Sequence, residues 1–228
     1  MRATSLKATV FGLFGLALLA SCSSPEPVAE VDVCDRTAGF GAEMNIAVPN
    51  DGSHDAARLS RAVIAEINTR RCRTQAPDLA LDPDLNRVTQ LHSNDMAERR
   101  FYSSASPVPG RENLSARLTN GNITFASASE SLQQGFFMQY DKNASFRTID
   151  AATCRFQQSS QGNPVSLLRR HTYTTLPQDI VGDIFQEAAQ RSPLLNPDAD
   201  RLGTAIAATG GDQLCGSYVA DLIVVFDR

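Results

Sequence analysis

The sequence predicts an α+β domain in which helices pack on an antiparallel sheet. Apolar residues recur at helical spacing in two long segments of the N-terminal half and again after Pro177, whereas the C-terminal segment has the Val- and Ile-rich pattern of a β-hairpin. This order of elements, with most helices before the strands and one helix between them, is typical of a fold with separate helix and sheet layers. The chain has 228 residues, 42% hydrophobic and 20% charged, which is enough for one substantial core.

The N-terminus indicates export. Arg2 and Lys7 precede an apolar run over residues 10–20, which is too short for a permanent membrane-spanning helix. This pattern predicts a secretory signal peptide over residues 1–21. Residues 22–33, which contain two prolines and no periodicity, predict a tether to a single domain over residues 34–228.

The residues that end at Cys22 predict a lipid anchor. Leu19-Ala20-Ser21-Cys22 resembles the lipobox of bacterial lipoproteins, which implies that Cys22 is acylated and becomes the mature N-terminus. Ordinary signal cleavage with Cys22 as a stray thiol is the alternative. Ser23 rather than Asp follows the cysteine, which in such lipoproteins implies sorting to the outer membrane, here facing the periplasm.

The charge balance excludes nucleic acid as a partner. The formal net charge is −4, and loss of Arg2 and Lys7 with the signal leaves 19 basic against 25 acidic residues. A single lysine, Lys142, follows Lys7. A basic surface patch of the kind that binds phosphate backbones is therefore not expected.

The helices are predicted from periodicity and caps. The first covers residues 54–71 and opens near Ser53 or Asp55. Asp82 followed by Pro83 predicts the start of a second helix that runs to Arg100. Its apolar face contains Leu85, Val88, Leu91, His92 and Met96. A short third helix is predicted over residues 111–118, and a fourth begins at Pro177.

The strands are predicted later in the chain. An extended segment covers residues 123–130, and a hairpin pairs residues 202–209 with 214–226 around a Gly-Gly-Asp turn. An insertion at about residues 136–175 is expected to brace the sheet. Its aromatic residues favour strands, whereas residues 157–164 are predicted to be a loop.

Four cysteines remain after Cys22, and an even number in an exported chain predicts two disulfides. Three connectivities are possible. We favour Cys34 with Cys72, which would join the N-terminal segment to the end of the first helix, and Cys154 with Cys215, which would join the insertion to a late strand. A zinc site is the weaker alternative, because no two cysteines have metal-finger spacing.

Catalytic signatures are absent from the sequence: it has no phosphate-binding glycine loop, no Gly-x-Ser-x-Gly and no His-Glu-x-x-His. Of the three histidines, His92 falls on the apolar face of the second helix and is interpreted as a core or groove-edge residue rather than a metal ligand. His54 and His171 are predicted to lie on the surface.

The order of several segments resembles the CAP superfamily of cysteine-rich secretory, antigen 5 and pathogenesis-related proteins, in its bacterial SCP-like branch. The opening of that family is similar to residues 64–68, 79–85 and 94–104, and its Gly-Glu-Asn segment to residues 129–132. A later block is similar to residues 180–205, including Arg191, Leu194 to Pro197 and Leu202 to Ala205. The resemblance implies a three-layer αβα sandwich with a groove on one side.

The departures from the family pattern matter for function. The resemblance implies a groove with two histidines and acidic residues that can hold a divalent metal. Ser104 stands at the first histidine position and Gln190 at the second, next to the retained Arg191, whereas Glu130 matches a groove acid. A hydroxyl and a carboxamide are weak ligands, so we expect a vestigial groove with no metal and no cofactor. Glu130 is expected to cap backbone donors or to pair with Arg191.

These features together favour a lipid-anchored cell-envelope module without catalytic activity. Its expected partners are the membrane, through the lipid, and an envelope protein, polymer or lipid ligand. Two alternatives stay open. One is a hydrolase of peptides or envelope polymers that uses Glu130. The other is a carrier of a small hydrophobic ligand, suggested by Phe136, Phe137 and Tyr140 in the insertion.

Overall fold

The computed structural model describes residues 32–159, 165–210 and 213–227. The chain separates into two units, Met1–Asp32 and Val33–Arg228, and every helix and strand below belongs to the second. The predicted signal peptide over residues 1–21, the predicted lipidation site at Cys22 and residues 22–31 of the predicted tether lie outside the described residues.

Helix α1, Ala56–Arg73, agrees with the first predicted helix to within two residues at each end. It begins after Asp55, whose side chain accepts a hydrogen bond of 2.9 Å from the backbone N–H of Arg58. This cap satisfies one of the donors that the start of a helix leaves without a partner. The apolar face of α1 is buried, chiefly through Leu59, Ala62, Val63 and Ile67.

Helix α2, Pro83–Arg99, begins where the sequence predicts and ends one residue before the predicted Arg100. The Asp82 side chain accepts hydrogen bonds from the backbone N–H groups of Asp84 and Leu85, and Pro83 occupies the first turn. Arg100 ends the helix in the left-handed region, with φ 57° and ψ 45°. The chain therefore turns sharply at Arg100 before the segment that contains Phe101 and Tyr102.

Three shorter helices complete the helical part: α3, Leu114–Asn120; α4, Thr175–Gln186; and α5, Ala188–Leu195. Helix α3 starts three residues later than predicted because Asn113, rather than an earlier residue, caps it. The sequence did not predict α5, since Pro193 lies inside it and Leu194 is the one residue of it that is buried.

The described residues form nine strands. They are β1 (Ala80–Leu81), β2 (Ser127–Phe136), β3 (Met138–Gln139), β4 (Ser145–Asp150), β5 (Arg155–Ser159), β6 (Ser166–Leu167), β7 (Arg169–Arg170), β8 (Arg201–Ala208) and β9 (Ser217–Phe226). The central sheet has the order β1-β8-β9-β2. The predicted hairpin is confirmed, because β8 and β9 pair antiparallel, and β9 pairs antiparallel with β2. The two-residue strand β1 runs parallel to β8.

The sheet is covered on both faces, as the resemblance implies. Side chains alternate along β9, so Ala220, Leu222 and Val224 pack in the core with α1, α4 and α5. Val219 and Ile223 point the other way and pack against α2 and α3. The fold is therefore an α+β three-layer αβα sandwich whose central sheet is mainly antiparallel.

The insertion contains two small sheets, β3 with β7 and β4-β5-β6. The prediction of a loop over residues 157–164 is wrong in its first part, since Gln157 belongs to β5 and pairs with Arg147 on one side and Leu167 on the other. Pairing with two neighbours outweighs the low strand preference of Gln and Ser. Phe136 and Tyr140 pack in a small core beneath these sheets, and Phe137 is buried in the main core.

Both disulfides have the connectivity that we favoured. Cys34 pairs with Cys72 at a Cα–Cα distance of 5.4 Å, and Cys154 with Cys215 at 5.6 Å. They enclose sequence separations of 38 and 61 residues. On the chain-entropy model each stabilises the folded state by about 4 kcal/mol.

Two histidines are more buried than the sequence predicts. His171 is 4% exposed, and burial lowers the pKa of its imidazole to about 4. His54 is half-buried, and its Nε2 donates a hydrogen bond of 3.0 Å to the carbonyl of Ile206. Neither is the surface residue expected from its sequence neighbours: the His54 ring lies 6.4 Å from the ring of Phe137, and Nδ1 of His171 lies 3.2 Å from the hydroxyl oxygen of Thr175.

Candidate functional site

Two carboxyl groups lie on the same face of the sheet, on neighbouring strands. Glu130 is in β2 and Asp221 in β9, and the strand register places Glu130 opposite Ile223 and Leu132 opposite Asp221. Residues directly opposite in an antiparallel pair share a face, so the two acids are diagonal neighbours. They face the layer of α2 and α3, because Ile223 and Leu132 pack on that side.

Helix α2 adds an imidazole to these two acids. The ring of His92 is fully buried, and its Nε2 lies 3.2 Å from the carbonyl oxygen of Ser103. A carbonyl can only accept, so Nε2 carries the proton and Nδ1 keeps its lone pair. One ring nitrogen of His92 and one carboxylate oxygen each of Glu130 and Asp221 lie within 4.8 Å of one another. We call these three residues the buried cluster.

Helix α3 brings a positive charge to the buried cluster. Nη2 of Arg117 pairs with Oε1 of Glu130, and Nη1 of Arg117 donates a hydrogen bond of 2.9 Å to the carbonyl of Ser104. The side chains of the ion pair are only 1% and 3% exposed. The guanidinium therefore compensates Glu130 in a place that water does not reach, where an unpaired charge is costly.

Burial shifts the pKa of the other two members of the buried cluster, Asp221 and His92. It raises the pKa of Asp221 well above the usual range for a carboxyl group, and the charge of Glu130 raises that pKa further. Burial also lowers the pKa of His92, as does the charge of Arg117. Burial therefore favours the uncharged forms of both Asp221 and His92.

The positions predicted to mark a vestigial groove are divided between the two faces of the sheet. Ser104 is exposed, and its backbone carbonyl accepts a hydrogen bond from Arg117, the partner of Glu130. The carbonyl of Gln190 accepts a hydrogen bond of 3.3 Å from the hydroxyl of Ser131. Side chains alternate along β2, so Ser131 points away from Glu130. The metal site implied by the resemblance therefore does not fit these residues, since a hydroxyl and a carboxamide on opposite faces do not complete a ligand set.

Arg191 has a different partner from the one expected. Its Nη1 donates a hydrogen bond of 3.0 Å to the carbonyl of Phe185, which lies in the last turn of α4. Arg117 takes the place beside Glu130 that the sequence analysis assigned to Arg191. The reason is topological: α3 covers the face of the sheet to which Glu130 points, and α5 covers the other.

An open groove of about 450 Å³ lies next to the buried cluster. The end of α2 and the following residues contribute Arg100, Phe101 and Tyr102, and the strands contribute Gln134. The Phe101 ring lies 5.9 Å from the ring of His92, centroid to centroid. Phe101 therefore separates the groove from the buried cluster.

Glu130 is recognisable in the sequence as a candidate site residue, whereas the residues that surround it were not predicted. Asp221 is the single charged residue in the middle of the apolar strand β9, and a buried strand tolerates a carboxyl group only with a partner. That pattern was the available signal for Asp221. For Arg117, in a seven-residue helix, the sequence offers no comparable signal.

Comparisons with known proteins agree with this architecture. A model of the cysteine-rich secretory protein family, CAP, matches residues 64–226. An outer surface protein from Borrelia burgdorferi is 11% identical, with a TM-score of 0.50 over 80% of this chain and 98% of that one. At this identity the likeness concerns the fold alone. No match was found among curated proteins.

Two further structures are similar over part of their length. One is an extracellular protein with an SCP domain from Bacillus anthracis, 17% identical over 78% of this chain, with a TM-score of 0.49. The other is a cysteine-rich secretory protein from Staphylococcus aureus, 15% identical over 77% of this chain, with a TM-score of 0.43. This chain spans 44% and 40% of those chains, respectively.

The helices of the described residues include none that is long and apolar enough to cross a membrane. The family match begins in α1 and ends in the last strand, and it therefore covers all three layers of the sandwich. The chain belongs to the cysteine-rich secretory protein (CAP) family.

Proposed function

We propose that this protein is an exported CAP module, anchored in the bacterial cell envelope through lipid on Cys22, that binds a partner without catalysing a reaction. The observation that carries the proposal is the burial of the candidate acid–base groups. His92 and Asp221 are 0% exposed and the Glu130 side chain is paired with Arg117. A general acid or base must come within hydrogen-bond reach of its substrate, and these groups are closed off from solvent.

The envelope location rests on the N-terminal sequence. The signal-like segment over residues 1–21 and the lipobox-like motif ending at Cys22 favour export and acylation. The similar structure from Borrelia is described as an outer surface protein, which is consistent with export. Ser23 favours the outer membrane, with the domain in the periplasm.

The groove beside the buried cluster is the surface best suited to a partner. Phe101 and Tyr102 supply aromatic area, and Arg100 and Gln134 supply donors at the same groove. By contrast, the aromatic residues that suggested a hydrophobic carrier, Phe136, Phe137 and Tyr140, pack in the two cores. We therefore place partner binding at this groove, with an envelope protein, polymer or lipid as the partner.

Replacing Cys22 with Ala is expected to move the protein from the membrane fraction to the soluble fraction, because the acyl chains supply the membrane affinity. The measurement is cell fractionation followed by separation of inner and outer membranes on a sucrose gradient. Ser23→Asp is the matched variant: it keeps the acylated cysteine, and we expect it to shift from outer to inner membrane. A Cys22→Ala protein that still sediments with membranes would show that no lipid anchor exists at this position.

A hydrolase of peptides or envelope polymers is the second candidate, and one observation favours it. Burial raises the pKa of Asp221, which is the diagonal neighbour of Glu130 on the adjacent strand. A protonated acid next to an ionised carboxylate is the arrangement that divides acid and base roles in several hydrolases. Their burial under α2 and α3 weighs against this role.

Glu130→Gln separates the two candidates. For a non-catalytic module we expect neither the wild type nor the variant to hydrolyse casein or purified peptidoglycan, while the variant melts several degrees lower. The destabilisation is about 1–2 kcal/mol, because Asp221 can ionise and replace Glu130 beside Arg117. Glu98→Gln, the same change at an exposed site on α2, serves as the control. Hydrolysis by the wild type that Glu130→Gln abolishes without changing the melting temperature would establish the hydrolase instead.

A further inference from the structure

Four polar atoms of the buried cluster lack a hydrogen-bond partner within the described part of the chain. They are Nδ1 of His92, Oε2 of Glu130 and both carboxylate oxygens of Asp221. Buried polar atoms in folded proteins nearly always have a partner, so a group of four in one place indicates that something joins them. The three ligand atoms lie within 4.8 Å of one another, which leaves room for a shared proton, a water molecule or a small ion. A water molecule has two protons to donate and so cannot by itself give a partner to all four acceptor atoms.

A shared proton does not satisfy all four atoms. One proton between Glu130 and Asp221 gives a partner to one oxygen of each and leaves Nδ1 of His92 and the second Asp221 oxygen without one. A second proton, on Nδ1 of His92, would place a positive charge on a ring that is 0% exposed, where a charge without a counter-ion is costly. A cation between the three side chains contacts all of them at once.

We propose that His92, Glu130 and Asp221 bind one divalent cation of the first transition series in a closed, structural site. One imidazole nitrogen with two carboxylates is a donor set that suits Zn²⁺, Mn²⁺ or Fe²⁺, whereas Ca²⁺ and Mg²⁺ prefer oxygen alone. Neighbouring donors in a tetrahedral site with bonds of about 2.1 Å lie about 3.4 Å apart, which is within the 4.8 Å that bounds the three ligand atoms here.

Hydrogen bonds from neighbouring groups orient the side chains of the buried cluster, as outer-shell residues orient the ligands of a metal. The Nε2 of His92 donates to the carbonyl of Ser103, which fixes the tautomer with Nδ1 available. Oε1 of Glu130 is held by Arg117, which leaves Oε2 available. Metal binding requires that Asp221 lose its proton, and the two carboxylates and one guanidinium then carry a net charge of −1, which favours a cation between them.

This site differs from the one that the family resemblance implies. Both sites include Glu130, but the other ligands proposed here are His92 and Asp221 rather than the residues at positions 104 and 190. The proposal also departs from the sequence-based expectation that the protein holds no metal. The burial of the proposed site is typical of structural sites, which have no open coordination position. A cation here would join α2 to β2 and β9, and Phe101, which separates His92 from the groove, would have to move to admit it. The inference does not depend on the lipid anchor or on the partner.

The test begins with the purified protein after treatment with EDTA and dialysis. Titration with Zn²⁺ alone should show one equivalent bound with a dissociation constant in the micromolar range or tighter, together with a higher melting temperature. Loading with Co²⁺ provides a second measurement that does not depend on any variant. Among the three histidines, the ring signals of His92 should shift or broaden most in NMR spectra, because Co²⁺ is paramagnetic.

Variants then assign the ligands. Asp221→Asn and His92→Gln should each weaken Zn²⁺ binding by about a hundredfold or more, since each removes a direct ligand. His171→Gln, at a buried histidine outside the cluster, should leave the affinity unchanged. The proposal is overturned if the wild type binds no Zn²⁺, if binding survives both cluster variants, or if Co²⁺ affects His54 or His171 rather than His92.

Discussion

Replacing Arg117 with Met is expected to lower the free energy of unfolding by about 4 kcal/mol, because it leaves Glu130 without its counter-charge in a buried place. Met has a similar length and fills most of the same space, so lost packing adds little. The guanidinium also donates to the carbonyl of Ser104, and that contact is lost with it. The measurement is urea denaturation at pH 7 in EDTA, so that no bound cation affects the comparison.

A second substitution should recover part of this loss. Glu130→Gln in the Arg117→Met background removes the uncompensated charge, and we expect the double variant to be more stable than Arg117→Met alone. Arg111→Met is the matched control, because Arg111 pairs with Asp95 at 3.1 Å but is more exposed than Arg117. That control should cost about 1 kcal/mol at most. An Arg117→Met variant no less stable than this control would mean that the pair with Glu130 is not shielded from water.

The parts of the fold that the sequence predicts well are those determined by neighbouring residues. Asp82 and Pro83 start α2 through local hydrogen bonds and a fixed φ, and the apolar pattern of the C-terminal segments predicts the pairing of β8 with β9. The predictions that failed concern residues whose partners are distant in the sequence. Gln157 becomes part of a strand because β4 and β6 lie on either side of it, and α5 forms despite Pro193.

The candidate site shows the same division more clearly. Glu130 could be found because it lies in a short segment with a family-like pattern. Asp221 and Arg117 meet it only through the register of β2 with β9 and through the placement of α3 on one face of the sheet. Neither relation is encoded in a local spacing. The one usable sign was chemical, namely a carboxyl group inside an apolar strand.

Replacing Arg71 with Met is expected to destabilise the protein by about 4 kcal/mol, through a different mechanism. Arg71 is 0% exposed near the end of α1, and it donates hydrogen bonds to the carbonyls of Pro77, Leu194, Asn196 and Ala199, at 2.6, 2.6, 2.9 and 3.3 Å respectively. One side chain thus joins α1 to the end of α5 and to the chain that enters β8. Four carbonyls lose their donor in the variant, at about 1 kcal/mol each.

Two companion variants test whether the number of donors accounts for the effect. Arg71→Lys keeps the charge but has a single ammonium in place of the planar guanidinium, and we expect it to lose about half as much stability as Arg71→Met. Arg70→Met is the matched control on the same helix, since Arg70 pairs with Glu66 at 3.1 Å nearer the surface and should cost at most about 1 kcal/mol. If Arg71→Lys were as stable as the wild type, the contribution would come from the positive charge alone. If Arg70→Met cost as much as Arg71→Met, the four buried carbonyls would have no special role in holding α1 to α5.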